Sequence, residues 1–384
     1  MTADADFARR LAELIAFPTV SDVSNLDLVA HIEALAAEHG ATCRRFDDPQ
    51  GGAKTNLVVT IGPEVAGGLV LSGHTDVVPV TGQSWTGDPW AMRTLNHRFL
   101  GRGATDMKGF LACCLAALPH FAGMALKRPI HLAFSYDEEV GCTGVGPMAE
   151  WLGQNAKPSL AVIGEATEMD LVTAHKGGTI GWTYVTGKPA HSSQPDKGVN
   201  AVMIAAELIA EINRIAEEMR SGPTVEGIDP PFSTIQVNQI EGGSHGNILA
   251  EHCKFFWEMR LVPGDSVERV LGRMKARADM LEPAMKAVTS DAGIRLDIQS
   301  RIPPLGPSGD DALEARLLAL LGRTAPRAVP YGTEAGIFAA AGMPAVVIGP
   351  GTIADAHQPD ESIAIEQMAA CSDFLLRLAA SEVS

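Results

Sequence analysis

The sequence predicts an α/β protein in which a larger domain, built on a mostly parallel sheet, carries a smaller inserted α+β domain. Three observations point to this. The 384 residues exceed the usual size of one cooperative core. Up to about residue 176, short runs that are apolar throughout alternate with segments of helical length, the pattern of a sheet covered on both faces. Beyond that point the strand signals loosen and the helices lengthen, before a buried strand and a terminal helix resume the first pattern.

Taken in order, residues 4–16 and 24–39 read as helices, the second with Leu26, Leu28, Val29, Ile32, Leu35 and Ala36 roughly along one side. Apolar runs follow at 56–61, 68–71, 130–135 and 160–163, with helical stretches at 107–118 and 145–151. The inserted block reads as strands at 178–186, 233–240 and 255–261 and helices at 199–219 and 266–281, with a sheet of antiparallel type. Segments 313–321, 345–348 and 363–378 then read as helix, strand and helix. The expected division assigns 1–176 and 289–384 to the larger domain and 177–288 to the insertion.

Composition narrows the function classes. Thirty basic against 46 acidic side chains give a formal charge of −16, which argues against a nucleic-acid partner, since phosphate binding needs a basic patch. The excess carboxylate reads either as a solvated surface or as attraction for a cationic substrate. Six cysteines without close-spaced motif pairs read as free thiols in a reducing compartment. The acidic N-terminus is unlike a signal peptide, and apolar stretches fall short of a membrane span, so no membrane partner and a cytoplasmic location are expected.

Polar residues recur at the ends of apolar runs. In GHTDVV, His74 and Asp76 are two apart at a strand end and face one side, so one can bind a metal while the other orients the ring. Alone, His-x-Asp reads equally as structure. Asp106, in GRGATDMKG, stands before a helix as either its cap or a carboxylate shared by two cations. SYDEEVG places Asp137, Glu138 and Glu139 together, where like charges raise one another's pKa unless a cation offsets them or a surface turn holds them apart. Glu165 follows AVIG, and His357 lies in GPGTIADAHQPDE. Two divalent ions account economically for this set of mixed nitrogen and oxygen donors, which suits zinc first and permits cobalt or manganese.

Together GHTDVVPV, GRGATDMKG, SYDEEVG, the isolated Glu165, GKPAHS, YGTEAG and GPGTIADAHQPDE resemble, in order and spacing, the M20 metallopeptidase and deacylase family, nearest its acetylornithine deacetylase branch. The resemblance implies a metallopeptidase domain with an inserted lid and dimerisation domain, a homodimer, and hydrolysis of a small N-acylated amino acid. The branch's reaction converts N2-acetyl-L-ornithine to acetate and L-ornithine in arginine synthesis. Succinyl-diaminopimelate desuccinylase, or a broader N-acyl-amino-acid deacylase or dipeptidase, is the alternative. A metal-binding protein without catalysis would leave Glu138 without a purpose.

The family pattern also implies roles. His74, Asp106 and Glu165 would hold one ion and Asp106, Glu139 and His357 the other. Glu138 would be the general base, Asp76 the partner orienting His74, and His191 in GKPAHSS a donor to the oxyanion, or else a histidine in a local turn. Arg260 would clamp the substrate carboxylate with its fixed fork of donors, or form a surface salt bridge. Asn247 matches a residue near the acyl pocket, although Leu249-Ala250 stands where the family commonly has Ile-Pro. Glu334 would meet the ornithine amine or cap the following helix. Lys108 would support Asp106 or face solvent, and Trp85 and Trp90 would pack beside the first metal loop.

Overall fold

The computed structural model describes residues 3–383. In chain order, α1 (Ala3–Ile15) and α2 (Leu26–Glu38) precede β1 (Thr42–Asp47), β2 (Thr55–Ile61), β3 (Leu69–His74), β4 (Arg93–Leu95) and β5 (Arg98–Leu100). Next come α3 (Lys108–Gly123), β6 (Ile130–Ser135), α4 (Gly146–Trp151), β7 (Leu160–Ile163), β8 (Val172–His175) and β9 (Gly177–Thr186). Then follow α5 (Ala201–Met219), β10 (Thr234–Gly242), β11 (His252–Leu261), α6 (Val267–Val288) and β12 (Gly293–Ile302). The chain closes with α7 (Asp311–Leu321), β13 (Arg327–Val329), α8 (Ala335–Ala340), β14 (Ala345–Val347), β15 (Ser362–Ala364) and α9 (Ile365–Ala380).

Two compact units result. One takes residues up to Ala174, Leu305–Ala328 and from Thr333 onward, and the other takes His175–Pro304 and Val329–Gly332. The expected return to the larger domain at 289 therefore moves to 305. The reason is β12, which pairs antiparallel with β9 and completes the smaller unit's sheet, in the order β10-β11-β9-β12. Its sequence GIRLDIQSRI is too polar to stand out as a strand, because only Ser300 within it is buried.

The larger unit carries an eight-stranded sheet, in the order β1-β2-β6-β3-β7-β14-β8-β13. Its four central strands, β6, β3, β7 and β14, run parallel, and β1 and β2 join antiparallel at one side. The strands β3, β6 and β7 are buried at every position, which explains why they read as unbroken apolar runs. Helix α3 is almost wholly buried against this sheet. Its close approach needs two glycines: a Cβ on Gly73 would lie 2.5 Å from Met107 Cε, and one on Gly164 would lie 2.0 Å from the Phe110 ring. These glycines immediately precede His74 and Glu165, so the helix packs tightly just below both side chains.

The smaller unit has its own core. Leu208, Ile212 and Ile215 of α5 and Val270, Met274 and Ala278 of α6 meet Phe255, Trp257 and Met259 of β11. Its sheet is antiparallel throughout, as the sequence suggested. Strand β11 alternates buried and half-exposed positions, the period of a sheet covered on one face. Helix α6 runs past the expected end at 281 because Pro283 is accommodated within it. Among the described residues no helix is long and apolar enough to cross a membrane. All six cysteines are free.

Candidate active site

The C-terminal ends of the parallel strands β3, β6 and β7 deliver His74, the 137–139 turn and Glu165 to one place in the larger unit. Open α/β sheets present ligand-binding groups at this edge. Two loops complete the cluster: the turn before α3 brings Asp106, and the segment between β14 and β15 brings His357.

Asp106 does not cap α3, whose N-cap is Met107 with no side-chain hydrogen bond. Its two oxygens diverge instead. Oδ1 lies 3.0 Å from His74 Nε2 and Oδ2 lies 2.9 Å from His357 Nε2. His74 Nε2 is also 3.6 Å from Glu165 Oε1, and His357 Nε2 is 3.1 Å from Glu139 Oε2. A tetrahedral ion with bonds of about 2.0–2.1 Å sets its donors about 3.3 Å apart. The four imidazole–carboxylate distances, from 2.9 to 3.6 Å, fall about that spacing, and Asp106 is the carboxylate that both imidazoles approach. His74 falls within metal-ligand reach of Asp106 and Glu139, and also of Glu138 and Glu165.

Asp76 has a wider task than orienting a ring. His74 Nδ1 donates to the Asp76 carbonyl at 2.8 Å, whereas the Asp76 carboxylate is 3.6 Å from that nitrogen. That carboxylate accepts from the backbone N–H groups of Glu138 (3.2 Å) and Glu139 (3.3 Å) and from the Ser21 hydroxyl (2.6 Å). Asp76 thereby fixes His74 through its backbone and the two glutamates through its side chain. Asp137 turns away from the cluster to meet Lys54 Nζ at 2.6 Å. Both Asp137 and His357 hold left-handed backbone conformations, at φ 58° and 60°. Such positions cost about 1–3 kcal/mol and persist where surrounding contacts enforce them.

Electrostatics show what the cluster lacks. Burial pushes Glu138 up to about 8 and raises Glu139, while Glu165 stands well above its ordinary value, chiefly from burial reinforced by Asp106. Hydrogen bonds to Asp106 and Glu139 push His357 up to about 10. His74 is raised well above the usual imidazole range: burial opposes this, and the contact with Asp106 and the charges of the glutamates override it. Burial acts against ionisation of Asp106 too, but the two imidazoles hold it far below the ordinary carboxylate range. Carboxylates raised by burial, crowded beside imidazoles raised by their anionic neighbours, mark a site that calls for positive charge.

Glu334 is 1% exposed and occupies the N-cap position of α8 without a side-chain capping bond, its carboxylate facing the Ser135 hydroxyl. Burial pushes it up to about 7, within the fields of His74 and Asp76. Lys108 neither faces solvent nor touches Asp106. It is fully buried, Nζ donates to the Phe17 carbonyl at 2.8 Å, and burial lowers it to about 7. Trp85 and Trp90 meet residues of the Asp106 motif, Trp85 under the Arg102 guanidinium at 5.1 Å and Trp90 under Lys108 at 6.0 Å.

The remaining candidates lie in the smaller unit. His191 is exposed, and its Nδ1 accepts from the Ser193 N–H at 3.2 Å and pairs with its hydroxyl at 2.8 Å, which leaves the proton on Nε2. The Asn247 loop lies alongside: Ser192 N donates to Asn247 O at 3.0 Å and Leu249 N to Ala190 O at 2.9 Å. Arg260 is half-exposed and paired with Glu258 at 2.5 Å. Sequence reasoning passed over two residues in the larger unit. Cys142 points its thiol at Glu138 Oε1, 3.4 Å away. Glu361, inside a motif already noted, contacts the Asp106 turn directly.

Residues 70–381 match the model of peptidase family M20/M25/M40. An acetylornithine deacetylase of Myxococcus xanthus is 35% identical over 382 residues, covering 96% of each chain. One of Photorhabdus laumondii is 31% identical over 363 residues, covering 93% of this chain and 92% of that one. Among solved structures, an M20 family metallo-carboxypeptidase of Sulfolobus solfataricus aligns over 99% of this chain and 100% of its own, with a TM-score of 0.75 at 19% identity. With a family match over most of its length and relatives above 30% identity, the chain belongs to the M20/M25/M40 family of hydrolases.

Proposed function

We propose that the chain hydrolyses N2-acetyl-L-ornithine to acetate and L-ornithine, using two divalent ions held by its larger unit. The observation that carries the metal assignment is Asp106 placed between two imidazoles, each with a further carboxylate beside it. His74, Asp106 and Glu165 would hold one ion and Asp106, Glu139 and His357 the other. Imidazole with carboxylate suits zinc first and accepts cobalt or manganese. When bound, such ions polarise a carbonyl and acidify water near neutral pH.

The protein's own groups supply the proton traffic. Glu138 is held by its backbone N–H on Asp76 and by burial near neutrality. From there its carboxylate takes a proton from the attacking water and returns it to the amide nitrogen, which must be protonated to leave. We assign His191 as the Nε2–H donor to the oxyanion, Asn247 to the acyl pocket and Arg260 to the substrate carboxylate. Glu334 is assigned to the substrate's cationic amine, which would offset the burial of its carboxyl. The smaller unit would act as lid and dimerisation domain of a homodimer. Support for the substrate comes from the two relatives named acetylornithine deacetylase.

The substrate assignment is tested by initial rates of amine release from N-acetylornithine, N-succinyl-diaminopimelate and N-acetylmethionine, with protein loaded separately with zinc and cobalt. Acetylornithine is expected to give the highest kcat/KM. Preference for either competitor would keep the hydrolase and overturn this substrate.

Metal uptake should also depend on pH, with a sign fixed by the site. Contacts with Asp106 and Glu139 push the His357 imidazole up to about 10, so it carries a proton near neutrality, and His74 is raised in the same direction. An ion must displace those protons, so apparent affinity is expected to rise with pH from about 6 to 8, with proton release on binding. Calorimetric titration in buffers of different ionisation enthalpy measures both. An affinity unaffected by pH, with no proton released on binding, would contradict the ligand assignment.

A further inference from the structure

We propose that Glu361 is a positioning residue that sets the distance between Asp106 and His357 before any metal enters, and so determines the affinity of the ion those two residues share. This rests on the two-ion reading above. Glu361 is 1% exposed and contributes no atom to the donor cluster. Its carboxylate accepts four hydrogen bonds from the turn that carries Asp106. Oε1 takes the N–H groups of Thr105 (2.9 Å) and Asp106 (3.0 Å), and Oε2 takes that of Gly103 (3.0 Å) and Arg102 Nη1 (2.7 Å). The backbone of Glu361 joins in, since its carbonyl accepts from Gly101 N at 3.0 Å.

The contacts close into a ring. Arg102 also donates through Nη2 to Gln83 Oε1, and Gln83 Nε2 donates to the His357 carbonyl at 2.9 Å. Glu361 follows His357 by four residues in HQPDE. One short segment therefore supplies a candidate ligand and the carboxylate that clamps the turn bearing a second. His74 and Glu165 are outside this ring, carried by the ends of β3 and β7. The ion assigned to Asp106, Glu139 and His357 thus depends on the ring through two donors, and the other ion through one.

The acceptor pattern makes glutamine a severe replacement. All four partners are donors, so either orientation of a Glu361→Gln amide turns its NH2 toward two of them. Altered support of this kind costs about 10- to 100-fold in metal affinity. Gln83→Ala cuts the ring at a half-buried position away from the sheet core and keeps the test open should Glu361→Gln fail to fold.

The experiment is a zinc titration of metal-free full-length wild type, Glu361→Gln and Gln83→Ala, followed by calorimetry and by metal content after dialysis. The visible spectrum of the cobalt-loaded proteins and circular dichroism accompany it. Expected is a folded protein in which one ion weakens about 10- to 100-fold in Glu361→Gln, and the same ion weakens in Gln83→Ala. The second ion should change much less. A purely structural role would lower the melting temperature and leave the ratio of the two affinities intact. Unchanged affinities in folded Glu361→Gln would overturn the proposal, as would unchanged affinities in Gln83→Ala if Glu361→Gln does not fold. Should wild type take up a single ion, the two-ion reading fails, while Glu361 is still decided by whether that ion weakens.

Discussion

Glu138→Gln is expected to keep both ions and lose roughly 10²- to 10⁴-fold in kcat/KM, the scale of a general acid-base contribution. The substitution preserves shape and the Glu138 N–H bond to Asp76, so the turn that also carries Glu139 stays in place. What disappears is a group able to accept a proton and then release it. Glutamine also avoids the cost of burying charge, which burial already shows by pushing Glu138 up to about 8. The fold should therefore be at least as stable as wild type. Amine-release kinetics with metal content measured on the same sample make the comparison. A variant retaining metal and turning over within about threefold of wild type would remove Glu138 from the proton path.

Asp106→Ala is expected to have the other large effect, reducing metal content to less than one ion per chain and turnover below detection. Asp106 is the contact common to both imidazoles. Without it, His74 keeps Glu165 and His357 keeps Glu139, two donors apiece where a stable site needs three or four. The carboxylates left behind are buried and lose both the shared anion and the cations meant to balance them. Elemental analysis after dialysis against chelator checks the prediction. Two ions retained at wild-type affinity would show that the donor atoms around Asp106 are a polar cluster and not a metal centre.

How much of this could be read in the sequence depended on burial. Strands β6 and β7 were legible to the residue because every position in them is buried and, His131 apart, apolar or small. Strand β1, TCRRFD, was invisible because it is an exposed edge with charged side chains, and β12 failed for a similar reason at the edge of the smaller sheet. That omission alone moved the domain boundary from 289 to 305. In the site, strand-end placement and family motifs singled out His74, Asp106, Glu139, Glu165 and His357, which the fold brings together. The tasks of Asp76 and Glu361 were hidden because most of their partners are backbone N–H groups, which carry no sequence signature. The burial of Lys108 was equally hidden, since its partner is the carbonyl of Phe17.

The most direct test of the central claim is to strip the protein of metal and follow the rate of amine release from N-acetylornithine as zinc is added back. Turnover is expected to be negligible without metal and to climb to a plateau at two ions per chain. Full activity in the metal-free protein, or none at two bound ions, would contradict that claim.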